Sequence, residues 1–302
     1  MKRGVKLLIL TLCLILVGLG AWGIHILTRQ DPTPMDQGTL IFSLEGKQNL
    51  RWTYQENTIA FQITADGWVN PQIESYQITP QAKKAITDEL TELYARKTIG
   101  QPGDLSAFGL AQPRCTIQAD DITISIGNDV AIGNQLYVTL GDGKVHMVNS
   151  TLLTPFTKSL EDMAQTQDIP DFSAVRGVVI TKADTAIELQ KDMAADQWFL
   201  RTDDGFVPAD QTIAAGLIAH ITTLDFLTCA DCTPTDLHVY GLDHPTIYEI
   251  TYDTKTYTLL LGNSTEAGVY AMPQDGSMVY RIDATAGDAM LAITAQELLP
   301  RQ

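Results

Sequence analysis

The chain has 302 residues, with 36 Asp and Glu against 20 Lys and Arg and a formal net charge of −16. That length suggests about two domains at roughly 100–200 residues each. An acidic balance of this size argues against nucleic acid, which needs basic patches to displace counterions, and against lying flat on anionic lipid.

The first element in chain order is an apolar run, Leu7 to Leu27, preceded by Lys2, Arg3 and Lys6. At about 1.5 Å per residue it spans a hydrocarbon core about 30 Å thick. The basic flank orients its N-terminus to the cytoplasm. Residues 1–30 are therefore expected to be a signal anchor and transmembrane helix, with the bulk of the chain extracytoplasmic. A cleaved signal peptide is the competing reading, but the bulky Trp22 divides the small residues Ala21 and Gly23. Residues 31–39, polar and with two prolines, form the linker.

The rest of the chain is one unit written twice, expected at 40–170 and 171–302. Trp68 in ADGWVN has a counterpart in Trp198 of ADQWFL. A helical stretch comes after each. Thr79 and Pro80 open the first, with Ile86, Leu90, Leu93 and Tyr94 on one face. Pro208 leads into the second, with Ile213, Leu217, Ile221 and Leu224. Next comes a repeated decapeptide, DLSAFGLAQP and then DLHVYGLDHP. Asp104, Leu105, Phe108, Gly109, Leu110 and Pro113 recur as Asp236, Leu237, Tyr240, Gly241, Leu242 and Pro245. Alternating apolar runs ending in Gly127-Asn128 and Gly262-Asn263 come after it. Each unit closes on a helical stretch, near 150–164 and 284–298. Strands grouped after a helix predict an α+β fold. Each of the two tandem units is then a mainly antiparallel sheet with one amphipathic helix and a closing helix.

The decapeptide reads as a stop-and-turn device. The Asp caps a short helical turn, the Gly takes a left-handed conformation, the next Leu packs back, and the Pro enforces an extended entry into a strand. Paired catalytic or metal carboxylates at Asp104 and Asp236 are the alternative, but no second acidic residue recurs beside both. Trp68 and Trp198 read as core anchors rather than ligand platforms.

Cys229-Ala-Asp-Cys232 is the sharpest local pattern. It reads as a local disulfide, with free thiols and redox or metal work as alternatives. No second CxxC completes a zinc site, and the corresponding Lys97–Pro102 segment has no cysteine. His146, His220, His238 and His244 form no HExxH or HxH, and there is no GxSxG elbow or phosphate loop. No catalytic residue, cofactor or metal site is called for.

The N-terminal anchor, the tandem units, the Trp before a helix, the DLxx(F/Y)GLxxP turn and the IGN or LGN strand end together resemble a bacterial family catalogued as a domain of unknown function. The resemblance spans about residues 40–302. It implies membrane-anchored, extracytoplasmic proteins, often encoded beside gliding-motility-type ABC transporter subunits, and so an accessory or scaffolding role. The alternative is an envelope enzyme or small-ligand binder with its site in the cleft between the units.

Overall fold

The computed structural model describes residues 38–172 and 174–300. The expected anchor and most of the linker lie outside them. Among the described residues no helix is long and apolar enough to cross a membrane.

Unit 1 opens with β1 (Thr39–Phe42), β2 (Asn49–Tyr54), β3 (Asn57–Thr64) and β4 (Gly67–Val69). Helix α1 (Pro80–Leu90) is next, then β5 (Leu93–Ala95) and β6 (Lys97–Ile99). The unit continues with β7 (Cys115–Ala119), β8 (Ile122–Asp129), β9 (Gln135–Thr139) and β10 (Val145–Asn149), a 3-10 segment (Ser150–Thr157) and α2 (Leu160–Met163). Unit 2 repeats the series: β11 (Val175–Lys182), β12 (Thr185–Asp192), β13 (Gln197–Thr202), β14 (Gly205–Pro208) and α3 (Gln211–Thr222). After them come β15 (Thr228–Asp231), β16 (Thr246–Tyr252), β17 (Lys255–Thr265), β18 (Gly268–Pro273), β19 (Val279–Ile282), α4 (Ala284–Ala292) and α5 (Ala295–Leu298).

Each unit is built on one antiparallel sheet. The strand order is β4-β3-β2-β7-β8-β9-β10-β6 in the first and β14-β13-β12-β11-β16-β17-β18-β19-β15 in the second. The orders match strand for strand, and β14 is an extra outer strand. Trp68 pairs with Ile63 one residue beyond the β3–β4 turn, and Trp198 pairs with Lys191 one residue beyond the β12–β13 turn. The closing segments also match. Thr79 N–H donates to the Met163 carbonyl at 2.8 Å, and Asp210 N–H donates to the Leu298 carbonyl at 2.8 Å. Ser159 and Thr294 each form a capping box at the start of the last short helix.

Burial keeps to the strand period of two. Leu50 and Trp52 on β2, Ile59 and Phe61 on β3, and Cys115, Ile117 and Ala119 on β7 point inward between more exposed neighbours. Trp52 lies 5.8 Å from Phe61 and 5.4 Å from Phe156, so it joins the sheet to the 3-10 segment. One apolar core runs through both units, and a small satellite core lies under the second decapeptide.

Several expected elements are shorter than their patterns. Leu93 and Tyr94 leave the helical face and join β5, which pairs with β1. Pro208 starts no helix; it pairs with Phe199 as an edge residue, and Asp210 caps α3 instead. Leu224 lies past the end of α3. The closing stretch 150–164 is not one helix. Pro155 lies inside its 3-10 part, where it removes a donor, and α2 restarts at the Ser159 cap.

The β7–β8 turn ties back to β2 through Asp120. Its carboxylate accepts the Asn49 side-chain amide at 3.1 Å and the Gln48 and Asn49 backbone N–H groups. These bonds, that from the Asn49 side chain foremost, hold the carboxyl below the ordinary aspartate range. A depressed folded pKa contributes stability above the unfolded value of about 3.9, and that contribution is lost as pH falls toward the folded value. Asp120→Asn should therefore melt below the wild type at pH 7, with the gap closing below about pH 4. A gap that stays constant between pH 7 and pH 3 would remove this role for the carboxylate.

Candidate functional site at the seam between the units

The repeated decapeptides come first, because repeated polar residues are the natural suspects for chemistry. Asp104 accepts the Ser106 N–H at 2.8 Å, and Asp236 accepts the His238 N–H at 3.0 Å. Short 3-10 turns come next, Ser106–Phe108 and Leu237–Tyr240. They end at Gly109 with φ 70° and Gly241 with φ 68°. Leu110 N–H then returns to the Leu105 carbonyl at 3.1 Å, and Leu242 N–H to the Leu237 carbonyl at 3.0 Å. Gly109 packs on Asn128, and Gly241 on Asn263. Gly127 and Gly262 meet the carbonyls of Phe108 and Tyr240. Both Gly-Asn pairs occupy a register shift, between Ile126 and Asp129 and between Leu261 and Ser264. The motif aromatics meet the tyrosines of the next strand edge-on, Phe108 with Tyr137 and Tyr240 with Tyr270, each at 5.0 Å. Pro113 and Pro245 lie just ahead of β7 and β16. Thus the repeated letters serve a turn seated on a β-bulge.

The two tryptophans do not converge on a cavity. Trp68 is half-buried against Phe61, with Lys83 Nζ 6.0 Å from its ring; Trp198 is buried, with Lys191 Nζ at 5.8 Å. Of the histidines, His238 faces Asp243 at 3.1 Å in the open, and that hydrogen bond raises its pKa. His146 is buried, with Nδ1 2.9 Å from Thr98 Oγ1. These two are register partners on β10 and β6, as Tyr280 and Cys229 are on β19 and β15.

The place where both units supply side chains is the seam. On the unit 1 side, Asn70 is buried and accepts the N–H groups of Gln72 at 2.9 Å and Ile73 at 3.1 Å, which shapes the loop after β4. That loop carries Ser75, whose hydroxyl lies 2.8 Å from that of Ser277 in unit 2. The Ser75–Ser277 contact stands between two cavities. One of about 490 Å³ is lined by Gln77, Gln165, Gln167, Asp168, Asp275 and Tyr280. The other, about 580 Å³, is lined by Gln72, Ile73, Glu74, Thr233, Pro234 and Cys232. Both include Ser75 and Ser277.

Behind these cavities the seam is closely packed. Tyr76 is buried and donates its hydroxyl to the Leu160 carbonyl at 2.8 Å. Phe226 stacks on Tyr280 at 4.4 Å. Cys229 and Cys232 are buried as thiols, with Sγ atoms 3.0 Å apart. Helix α2 of unit 1 rests on β15, which carries Cys229. Asp231, between the cysteines, accepts the Tyr240 hydroxyl at 2.6 Å and the Thr233 N–H at 2.8 Å.

Burial raises the Tyr76 phenol, with the two cysteines adding to it. The hydrogen bond with Cys229, then burial, raises the Cys232 thiol. Tyr240 is pushed up to about 12, chiefly by its bond to Asp231, and Tyr280 to about 12 by burial. Near neutrality these groups are protonated. Cys232 is thus poorly suited to fast thiolate chemistry and suited to staying reduced or being bonded. Among the described residues no group of three or more His, Cys, Asp or Glu could hold a metal ion. Tyr76 and Ser277 were not foreseen from the sequence, because no local pattern links the loop after β4 to the β15 edge.

A protein-family model described as Domain of unknown function (DUF4340) matches the chain over residues 68–194 and 198–298, so that the two matches start at Trp68 and Trp198. No curated protein matches the chain. No solved structure matches it either.

Proposed function

We propose a function from the premise that this chain belongs to the DUF4340 family. The protein works as a membrane-tethered, extracytoplasmic interaction scaffold, accessory to an ABC transporter. The observation that carries this reading is the use of the repeated residues. Asp104, Gly109, Leu110 and their counterparts serve a turn and a bulge, so duplication has copied a platform rather than a reaction centre. The tether is the Leu7–Leu27 run, and the transporter comes from the family resemblance. Beyond residue 30 the chain has 36 acidic residues against 16 basic ones, which keeps such a platform soluble and off anionic lipid.

The test is cross-linking of the full chain in its native membrane, with identification of the linked peptides. ABC permease or ATPase peptides joined to this chain are the expected result. A protein that leaves the membrane in carbonate, or a mature chain starting close to Ile24, would remove the tether.

A second reading, a small-ligand binder or envelope enzyme, draws on the two cavities at the seam, because clefts between units are favoured places for ligands. Native mass spectrometry of chain extracted from the envelope separates the two. A retained small molecule favours the second reading, and bare chain with cross-linked transporter favours the first.

A further inference from the structure

Cys229 and Cys232 belong to unit 2 alone. At the register position of Cys229 in unit 1 stands Thr98, so the repeat folds without a thiol there. The two sulfurs nevertheless lie 3.0 Å apart. They straddle the register shift between Cys229 and Asp231 on the edge strand β15, and α2 of the other unit rests on that strand. Their exposures, 4% for Cys229 and 1% for Cys232, rule out attack from open solvent. Cys232, however, stands in the wall of the 580 Å³ seam cavity with Ile73 and Ser75 of unit 1, so a small molecule seated there needs only a local opening of that wall to reach it. The third buried cysteine, Cys115, lies in the sheet of unit 1 as a free thiol.

We propose that Cys229 and Cys232 are a two-electron thiol–disulfide site, oxidised through the seam cavity by a small organic disulfide, and that bond formation clamps the edge strand on which unit 1 rests. In the first step the minor thiolate form of Cys232, scarce near neutrality and therefore slow to react, attacks one sulfur of the organic disulfide and breaks its S–S bond. The expelled thiolate takes up the proton that Cys232 lost. Cys229, deprotonated in turn, attacks the Cys232 sulfur, breaks the mixed disulfide and expels the second thiolate, which takes the second proton. One S–S bond is made and one broken; the pair loses two electrons and the organic disulfide becomes two thiols. The new bond fastens the turn that begins at Cys232 to β15, and with it Asp231, the acceptor of the Tyr240 hydroxyl, and the surface under α2. This inference is independent of the scaffold reading, since it needs only the seam.

The test uses the full chain in detergent, equilibrated in buffers of graded reduced and oxidised glutathione. Differential alkylation with mass spectrometry counts the thiols, and hydrogen exchange reads the backbone. Cys229 and Cys232 should leave the alkylatable pool together, with loss of two hydrogen masses, while Cys115 stays reduced. Amides of Thr228–Asp231 and of Leu160–Met163 should exchange several-fold more slowly in the oxidised protein. In Cys229→Ala, glutathione should remain trapped on Cys232. Two thiols that both stay alkylatable in oxidised glutathione, or a wild type that stops at glutathionylated Cys232, would overturn the site. An unmodified Cys232 in a folded Cys229→Ala protein would overturn the route through the cavity. Slower exchange at Thr228–Asp231 without any change at Leu160–Met163 would overturn the clamp.

Discussion

Replacing Trp52 with Ala should cost the fold about 3–5 kcal/mol, the range for removing a large aromatic from a close-packed core. Trp52 is 1% exposed and is held between Phe61 and Phe156. Its loss leaves a void at the point where β2, β3 and the 3-10 segment meet, and the neighbouring rings close it only in part. Trp68→Ala should cost far less, on the order of 1 kcal/mol. That ring is half-buried on a short edge strand, and its aromatic neighbour is Phe61 at 5.7 Å. Urea unfolding of the full chain, monitored by tryptophan fluorescence and circular dichroism, measures both. Equal losses from the two substitutions would show that Trp68 organises the core of unit 1 as much as Trp52 does.

Gly241→Val should lower stability by about 2–5 kcal/mol, from about 1–2 kcal/mol for a left-handed backbone and about 1–3 kcal/mol for overpacking. At φ 68° a side chain is strained, and a Cβ would press on the Asn263 side chain and lie 3.0 Å from its backbone nitrogen. Gly109→Val should behave alike, because its Cβ would meet Asn128 in the same way. Gly216 gives the opposite sign. It sits inside α3, where an added Cβ meets nothing within 4 Å, and Gly216→Ala should stabilise by up to about 1 kcal/mol through helix propensity. Thermal melts of the three variants test this together. A neutral Gly241→Val would mean that the turn can re-form away from the bulge.

The turns were legible because their interactions are local. Asp236 to His238, Leu237 to Leu242 and the left-handed Gly241 all fall within a few residues, so the letters themselves carry the geometry. The closing helices were less so. Pro155 and the cap at Ser159 were visible, but the apolar pattern masked the break. The outer strands show a subtler limit. Thr64-Ala-Asp-Gly67 and Thr202-Asp-Asp-Gly205 look equivalent, and in both turns the Thr hydroxyl donates to the Gly carbonyl. Yet the strand order makes β4 the counterpart of β13, leaving the second turn to an added strand. The same two-residue turn can join any hairpin, so it carries no information about place in the sheet.

Taken alone, the sequence determined that this protein is a duplicated α+β unit, that Asp104, Gly109, Leu110 and their counterparts build turns, and that residues 7–27 form an almost wholly apolar run. These properties rest on periodicity and on contacts between near neighbours. Only the tertiary structure decided that Trp52 is a larger core anchor than Trp68, that Ser75 of one unit meets Ser277 of the other, that α2 rests on β15, and that Cys229 and Cys232 lie in that seam. The physical reason is sequence separation. Ser75 and Ser277 are 202 residues apart, and which distant surfaces meet is set by burial summed over two sheets, which no local pattern encodes.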